Sequence, residues 1–352
     1  MRNSRIGIRV PVFVAVSLAA CMAAGMARAD AREDAARRAR LIFPPLPAEA
    51  QRAGDPITDA QVELGRRLYY EKRISKSQQI SCNSCHLLTR FGVDGEPTSP
   101  GHKGQRGGRN SPTTLNAAFE FAQFWDGRAA TVEEQAKGPV LNPIEMGMPK
   151  PEACVAVIES IPGYAALFAK AFPSDAKPVS YDNFARAVGA FERRLVTPSR
   201  FDEFLGGKTD ALTDAEVAGL DTFLTTGCPT CHMGPTVGGQ MFQKIGLVHP
   251  YETKDLGRYD VTKKEADKYF FKVPMLRNVA ETGPYFHDGS VKTLDEAIRL
   301  MAWHQLGKKL EPAEIASIQT FLGSLTGKVD ATYVAEPAPL PSGPNTPKPD
   351  LN

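Results

Sequence analysis

The sequence predicts a mostly α-helical fold in two similar domains, and three observations support this. Each half begins with a helix that opens in a capping box, Thr58–Gln61 in the first half and Thr213–Glu216 in the second. Each half also has a later stretch with apolar residues at helical spacing. Alternating strand patterns are scarce. The apolar positions of the later stretches are Phe184, Val188, Phe191 and Leu195, and then Ile315, Ile318, Phe321 and Leu322. The second half therefore resembles a distant internal repeat of the first.

A C-x-x-C-H run follows the early helix in each half, and the two runs use four of the six cysteines. This spacing is the attachment signature of a c-type haem, in which both thiols bond to the porphyrin and the histidine ligates the iron. A zinc ribbon would need further cysteine pairs close by, and a thiol redox pair needs no histidine at the next position. We therefore predict two c-type cytochrome domains, each around one covalently attached haem. The predicted attachment and proximal residues are Cys82, Cys85 and His86, and Cys228, Cys231 and His232.

Length and composition limit the classes of protein that this chain can be. Its 352 residues suit two domains of ordinary size, and a hydrophobic content of 42% allows a packed core. The formal net charge is only +2, which argues against a nucleic-acid partner. We expect a signal peptide at 1–29, a mobile or wrapping N-terminal arm at 30–54, haem domains at 55–200 and 201–330, and an extended or disordered Pro-rich tail at 331–352.

The start of the chain has the pattern of a secretory signal. Three arginines precede the apolar run Val12–Ala20, and Ala27–Ala29 forms an A-x-A cleavage site just before Asp30. The apolar run is short for a membrane span. An alternative is that Leu18–Cys21 is a lipobox and that its cysteine carries a lipid. We favour soluble export because the cleavage site is well placed. The predicted location is the periplasm, since c-type haem is attached outside the bacterial cytoplasm.

Spacing alone does not identify the sixth ligand of each haem iron. Function depends on whether that position is open or occupied by a side chain. The remaining histidines are His102, His249, His287 and His304, and methionines in the second half include Met233, Met241, Met275 and Met301. His102 lies in a Gly-rich insertion at 92–108, and loops of this length are usually functional. Cys154 lies in an apolar helical stretch, so we interpret it as a small buried hydrophobic residue.

Five longer segments resemble one known family. They read SCNSCH, GHKGQRGGRNSPTTLNAAF, QFWDGRAATVEEQAKGPVLNPIEM, CPTCHMGP and FKVPMLRNVAETGPYFHDGS. The segments are similar to those of the bacterial dihaem cytochrome c peroxidases, and the resemblance runs from about 55 to about 327. In that family one haem is a low-potential peroxidatic centre, and electrons enter at the other, high-potential haem. The resemblance implies the peroxidatic role for the domain at 55–200 and the electron-transfer role for the domain at 201–330.

The resemblance implies an iron-ligand role for four residues. His86 resembles the proximal ligand of the peroxidatic haem, and His232 resembles that of the electron-transfer haem. His102 resembles the distal histidine that ligates the resting peroxidatic iron and leaves it when the other haem is reduced. Met301 resembles the distal methionine of the electron-transfer haem, where a thioether raises the potential.

Three further residues resemble parts of the peroxidatic machinery. Trp125 resembles the tryptophan between the two haems, and it also suits a large core aromatic. Glu145 resembles the distal acid, because a carboxylate over the iron can take a proton from one peroxide oxygen and deliver it to the other. The alternative for this residue is an ordinary exposed glutamate. Gln135 resembles a second polar residue near the same pocket.

One calcium ion and a homodimer also follow from the resemblance. Asn110, Thr282 and Pro284 match the positions that supply protein oxygens to a calcium ion between the domains. Oxygen ligands suit this hard cation, although no acidic cluster marks the site in the sequence.

The resemblance implies a periplasmic enzyme that reduces hydrogen peroxide to water with electrons from a small donor, a cytochrome c or a blue-copper protein. One alternative is a dihaem oxidase that acts on a protein side chain, like those of methylamine utilisation. That group has no releasable histidine and has tyrosine in place of the methionine, so His102 and Met301 favour the peroxidase. Another alternative is a dihaem electron-transfer protein without peroxidase activity.

Overall fold

The computed structural model describes residues 30–52 and 54–352. The predicted signal peptide and the alternative lipidation site at Cys21 lie outside these residues. The described chain is rich in helix and has one short two-stranded antiparallel sheet, which confirms the mostly α-helical prediction. The helices are α1 at 30–40, α2 Asp59–Tyr70, α3 Cys82–Cys85, α4 Val132–Leu141, α5 Pro151–Ser160, α6 Tyr164–Ala171, α7 Tyr181–Glu192, α8 Arg200–Leu205, α9 Asp214–Thr226, α10 Tyr259–Thr262, α11 Leu294–Leu306 and α12 Pro312–Gly323. The strands are β1 Phe242–Lys244 and β2 Phe270–Lys272.

Both predicted capping boxes are present. The hydroxyl of Thr58 accepts a hydrogen bond from the backbone N–H of Gln61 at 3.2 Å, and Thr213 accepts one from Glu216 at the same distance. In each box the side chain of Gln61 or Glu216 accepts a hydrogen bond from the backbone N–H of the capping threonine. Helix α2 then packs across α7, and α9 packs across α12. Each half of the chain is therefore a unit in which an early helix crosses a late one.

A glycine lies at each of these crossings. A methyl group added at Gly65 of α2 would overlap the carbonyl oxygen of Ala187 in α7. A methyl group added at Gly219 of α9 would overlap the carbonyl oxygen of Ser317 in α12. Because glycine has no side chain, the two backbones come into direct contact at these points. The same contact in both halves supports the internal repeat.

Two hydrophobic clusters fill the units. The first gathers side chains of α2 and α5–α7, including the fully buried Phe184 and Phe191. The second gathers side chains of α8, α9 and α12 around Phe223 and Phe321. Cys154 is fully buried in the first cluster, and burial raises the pKa of its thiol to about 12. This agrees with its interpretation as a small hydrophobic residue.

The N-terminal arm packs on the opposite domain. Residues 30–40 form α1, and Ala35, Ala36 and Ala39 are buried in the second cluster together with Phe43. Of the two alternatives for this arm, mobile or wrapping, the structure has the wrapping one.

The C-terminal tail lies on the first domain. The ring of Tyr333 stacks on Phe191 at 5.1 Å, and Val334 is buried in the first cluster. Near its end, the tail donates a hydrogen bond from the backbone N–H of Asp350 to the carbonyl oxygen of Lys76 at 2.9 Å. The tail is extended and held by these contacts, so the alternative of disorder is wrong.

Within 30–52 and 54–352, no single helix is long and apolar enough to cross a membrane. Helices α5 and α6 meet the length and composition criteria only as a pair, and that pair is bent by 111°.

We expect Gly65→Ala and Gly219→Ala each to lower the free energy of unfolding by about 1–3 kcal/mol, because the added methyl group overpacks a helix crossing. Denaturant unfolding of the haem-loaded protein, followed by circular dichroism, measures the change. Gly323→Ala is the matched control, since a methyl group there has nothing within 4 Å. The control is expected to be neutral or to stabilise by up to about 1 kcal/mol. Equal effects at all three positions would contradict the crossing contact.

Candidate haem sites and the wall between them

The first C-x-x-C-H run folds into the short helix α3, which brings its two thiols and its histidine together. The backbone N–H of His86 donates to the carbonyl oxygen of Cys82 at 3.0 Å, and Tyr69 of α2 donates its hydroxyl to the carbonyl oxygen of His86 at 2.9 Å. The Nδ1 atom of His86 lies 2.9 Å from the carbonyl oxygen of Pro112. Burial lowers the pKa of the imidazole, which favours its neutral form. Since Nδ1 faces a backbone acceptor, Nε2 is left to ligate a metal.

The second run forms the same kind of turn in the other domain. The backbone N–H of His232 donates to the carbonyl oxygen of Cys228 at 3.0 Å. Burial lowers the pKa of His232 to about 4, so this imidazole is also neutral at ordinary pH. Its Nδ1 atom is buried and has no hydrogen-bond partner among the described residues. A neutral, buried imidazole is the form that binds iron.

A cavity lies beside each run. Cys82, Cys85 and His86 border the first cavity, and Cys228, Cys231 and His232 border the second. Burial raises the pKa of the Cys85 thiol to about 11 and that of Cys228 to about 12. A reactive redox pair needs a lowered thiol pKa, so these pairs do not fit that alternative. Two thiols and one imidazole at the edge of a cavity fit a covalently attached haem in each domain.

The first cavity is also bordered by the predicted acid. Glu145 and Gln135 both border this cavity. The Nδ2 atom of Asn142 donates to Oε1 of Glu145 at 2.8 Å, which leaves Oε2 without that contact. Burial raises the pKa of Glu145, while the charge of Arg128 and the bond from Asn142 act in the opposite direction. Glu145 is therefore a partly buried acid that faces the cavity, and it is not an ordinary surface glutamate.

His102 lies next to this acid in the fold but is not among the described residues that border the cavity. Its backbone N–H donates to the carbonyl oxygens of Ile144 and Glu145 at 2.9 and 2.8 Å. Its ring is buried near Gly147, and its Nδ1 atom has no hydrogen-bond partner in the described chain. A methyl group at Gly101 would overlap the carbonyl oxygen of Ile144, so this close approach requires glycine. The loop is thus fastened to the Glu145 segment, with the imidazole packed near Gly147.

At the second cavity, the geometry leaves two methionines as candidate haem ligands. Met301 of α11 borders the second cavity, and so does the buried Met275. Met233 is 38% exposed. His304 is bonded through Nδ1 to the carbonyl oxygen of His249 at 2.9 Å and is not among the described residues that border the cavity.

Trp125 lies in the wall that the two cavities share. It borders both cavities, and its Nε1–H donates to the carbonyl oxygen of Asn110 at 2.9 Å. The backbone N–H of Lys272, in β2, donates to the carbonyl oxygen of Trp125 at 2.7 Å. The residues that border both cavities are Asn110, Pro112, Thr113, Glu120, Trp125 and Lys272.

The three residues predicted to bind calcium come together at the second cavity. Asn110, Thr282 and Pro284 all border it. The Nδ2 atom of Asn110 donates to the carbonyl oxygen of Glu96 at 3.0 Å. The described part of the chain contains no group of three or more histidine, cysteine, aspartate or glutamate residues that could hold a metal ion. A calcium site here would therefore depend on neutral oxygens.

Sequence reasoning missed three charged residues at the cavities. Glu120 and Lys272 form a buried ion pair in the shared wall, and no local pattern connects two residues so far apart in the chain. Glu192 borders the first cavity, and burial raises its pKa to about 8. A signal for Glu192 was available, since it lies four residues after Val188 on the apolar face of α7.

The arrangement defines a class of protein, the dihaem c-type cytochromes, with an acid at one of the two haem sites. A family model described as di-haem cytochrome c peroxidase matches residues 59–210. The cytochrome c551 peroxidase of Pseudomonas aeruginosa is 46% identical over 298 residues, which cover 83% of this chain and 86% of the relative. The cytochrome c551 peroxidase of Nitrosomonas europaea is 45% identical over 305 residues, which cover 86% and 90%.

A solved MauG-like protein associated with microbial copper homeostasis has a similar fold, with a TM-score of 0.75 at 29% identity over 84% of this chain and 97% of that one. The chain belongs to the di-haem cytochrome c peroxidase family, and it is an oxidoreductase of the peroxidase type.

Replacing both thiols of one run should remove one covalent haem and leave the other. We expect the pairs Cys82→Ala with Cys85→Ala, and Cys228→Ala with Cys231→Ala, each to halve the covalently bound haem per chain. Pyridine haemochrome absorbance and the mass of the denatured chain measure this. Cys154→Ala is the matched control and should keep the full haem content. Full covalent haem in either double variant would show that the run does not attach haem.

Proposed function

We propose that this protein is a periplasmic peroxidase that reduces hydrogen peroxide to water at the first cavity. The observation that carries the proposal is the position of Glu145, a partly buried carboxyl at the same cavity as Cys82, Cys85 and His86. Support comes from relatives at 45–46% identity that are named cytochrome c551 peroxidase. The donor is a small redox protein, a cytochrome c or a blue-copper protein, and the active form is a homodimer.

A bound c-type haem supplies the iron to which peroxide binds and the electrons that cleave its O–O bond. Reduction of one peroxide consumes two electrons and two protons and yields two waters. Glu145 can accept a proton at Oε2 from the oxygen that binds and return it to the oxygen that leaves. Asn142 holds the other carboxyl oxygen, so the acid stays oriented toward the cavity.

Cys228 and Cys231 would hold the haem at which electrons enter, and Trp125 would lie between that haem and the one held by Cys82 and Cys85. The indole borders both cavities, and hydrogen bonds at its Nε1 and at its carbonyl oxygen hold it in the wall. A thioether ligand from Met301 would raise the potential of the second haem, which suits a site that accepts electrons.

His102 would be a releasable ligand of the first haem. Its backbone N–H is bonded to the Glu145 segment, which places the loop that carries it beside the first cavity. In one position it would occupy the face where peroxide binds, and in the other it would leave that face to Glu145. A protein-side-chain oxidase is less well supported, since the relatives at 45–46% identity are named peroxidases.

We expect Glu145→Gln to lower kcat/KM for peroxide by about 10²–10⁴-fold, because glutamine cannot carry the proton. In the unmodified enzyme the carboxylate must be ionised to accept it. Since burial raises the Glu145 pKa, kcat/KM should fall as pH decreases through a value above the ordinary range of glutamate. Stopped-flow kinetics across pH measures both effects.

The exposed Glu152 of α5 offers the matched control for this test. Glu152→Gln should keep both the rate and its fall at low pH, and both variants should retain their haem. A Glu145→Gln variant with an unchanged rate would exclude the proposed proton transfer.

Calcium is proposed to bind at Asn110, Thr282 and Pro284. We expect Asn110→Ala to weaken calcium binding by at least about 10-fold, since it removes an oxygen ligand. Calorimetric titration of the chelator-treated dihaem protein with calcium measures this. Asn345→Ala in the exposed tail is the control and should bind calcium normally. Unchanged calcium affinity in the Asn110 variant would show that Asn110 is not a calcium ligand.

A further inference from the structure

A buried ion pair lies in the wall that the two cavities share. The ammonium of Lys272 contacts Oε2 of Glu120 directly, and the two side chains are only 4% and 5% exposed. Both residues border the first cavity and the second. Of the charged side chains in the described part of the chain, these two are the ones that border both cavities.

Neighbouring backbone fixes the position of both charges. Lys272 is held by its own backbone N–H, which donates to the carbonyl oxygen of Trp125 at 2.7 Å. Glu120 is held beside Gly239, where an added methyl group would lie only 2.7 Å from its Cγ atom. The backbone N–H of Phe121 also donates to the carbonyl oxygen of Gly239 at 2.9 Å. The pair is therefore part of the same small structure that positions the indole.

Stability alone is a weak reason for this pair. Taking two charges out of water costs much of what their attraction returns, and neutral residues of similar size often serve a core as well. A buried charge does have a strong effect on its surroundings, because a low dielectric screens it poorly. Any redox group in either cavity would feel both charges. A net positive charge would favour the reduced form, and a net negative charge would favour the oxidised form.

We propose that Glu120 and Lys272 are positioning residues that together set the electrostatic potential of both cavities and so balance the two redox sites across Trp125. The charge of Lys272 raises the redox potential of both sites, which favours uptake of an electron. The charge of Glu120 lowers both potentials, so the electron can also leave. The inference rests on the proposed haem occupancy of both cavities and not on peroxide as the substrate. The test measures redox potentials, so a result that contradicts this inference is distinguishable from a loss of peroxidase activity.

The test is a double-mutant cycle on the intact dihaem protein, with both midpoint potentials followed by visible absorbance at several pH values. Glu120→Gln leaves the ammonium unbalanced and should raise both potentials. Lys272→Met leaves the carboxylate unbalanced and should lower both potentials, most strongly at high pH. The double variant removes both charges, and its potentials should lie close to those of the unmodified protein.

Lys272→Arg keeps the charge and should restore normal potentials. Glu203→Gln and Lys208→Met are the matched controls, since that ion pair is 52% and 64% exposed and solvent screens it. If Lys272→Met fails to fold, Glu120→Gln and the double variant still complete the comparison. Glutamine retains an acceptor for the ammonium in the first, and the second leaves no unpaired charge. Shifts in the same direction for both single variants, or no shift in a folded Glu120→Gln protein at any pH, would overturn the proposal.

Discussion

A short series of hydrogen bonds to backbone carbonyl oxygens holds the wall between the two cavities, and both sites depend on it. The carbonyl oxygen of Asn110 accepts from the Trp125 indole, and the carbonyl oxygen of Trp125 accepts from Lys272. Two residues after Asn110, the carbonyl oxygen of Pro112 faces Nδ1 of His86. One loop therefore orients both the imidazole of His86 at the first cavity and the indole of Trp125 between the two cavities. Because the acceptor in each contact is a backbone carbonyl oxygen, the side chains of Asn110 and Pro112 are not needed for it.

The rest of the fold keeps this wall between two rigid units. Each unit is a pair of crossed helices whose backbones meet at Gly65 or Gly219. The N-terminal arm packs on the second unit, and the tail packs on the first through contacts such as that of Tyr333 with Phe191. The arm precedes the first unit and packs on the second, and the tail follows the second unit and packs on the first. Both ends therefore hold the two units together, which limits how far the cavities can separate. Electron transfer between two sites needs a fixed distance of this kind.

The parts of this account that were predictable from sequence are those with local patterns. Capping boxes such as Thr58–Gln61 identified the early helices, and the C-x-x-C-H runs identified the cavities. The pairing of Glu120 with Lys272 was not predictable, because it joins a loop to a strand far along the chain. The packing of the tail was missed for a different reason, since its proline-rich composition suggested disorder. Contacts with the first domain, such as the burial of Val334 in the first cluster, hold the extended tail.

The central claim is that an electron at the second site prepares the first site for peroxide. Electron paramagnetic resonance of the calcium-loaded protein, recorded fully oxidised and after addition of one electron per chain, tests it most directly. We predict that one electron converts the first haem from a low-spin to a high-spin signal, and that this signal then changes on addition of peroxide. Two haems that remain low-spin after half-reduction and do not respond to peroxide would contradict the claim and favour a dihaem electron-transfer protein.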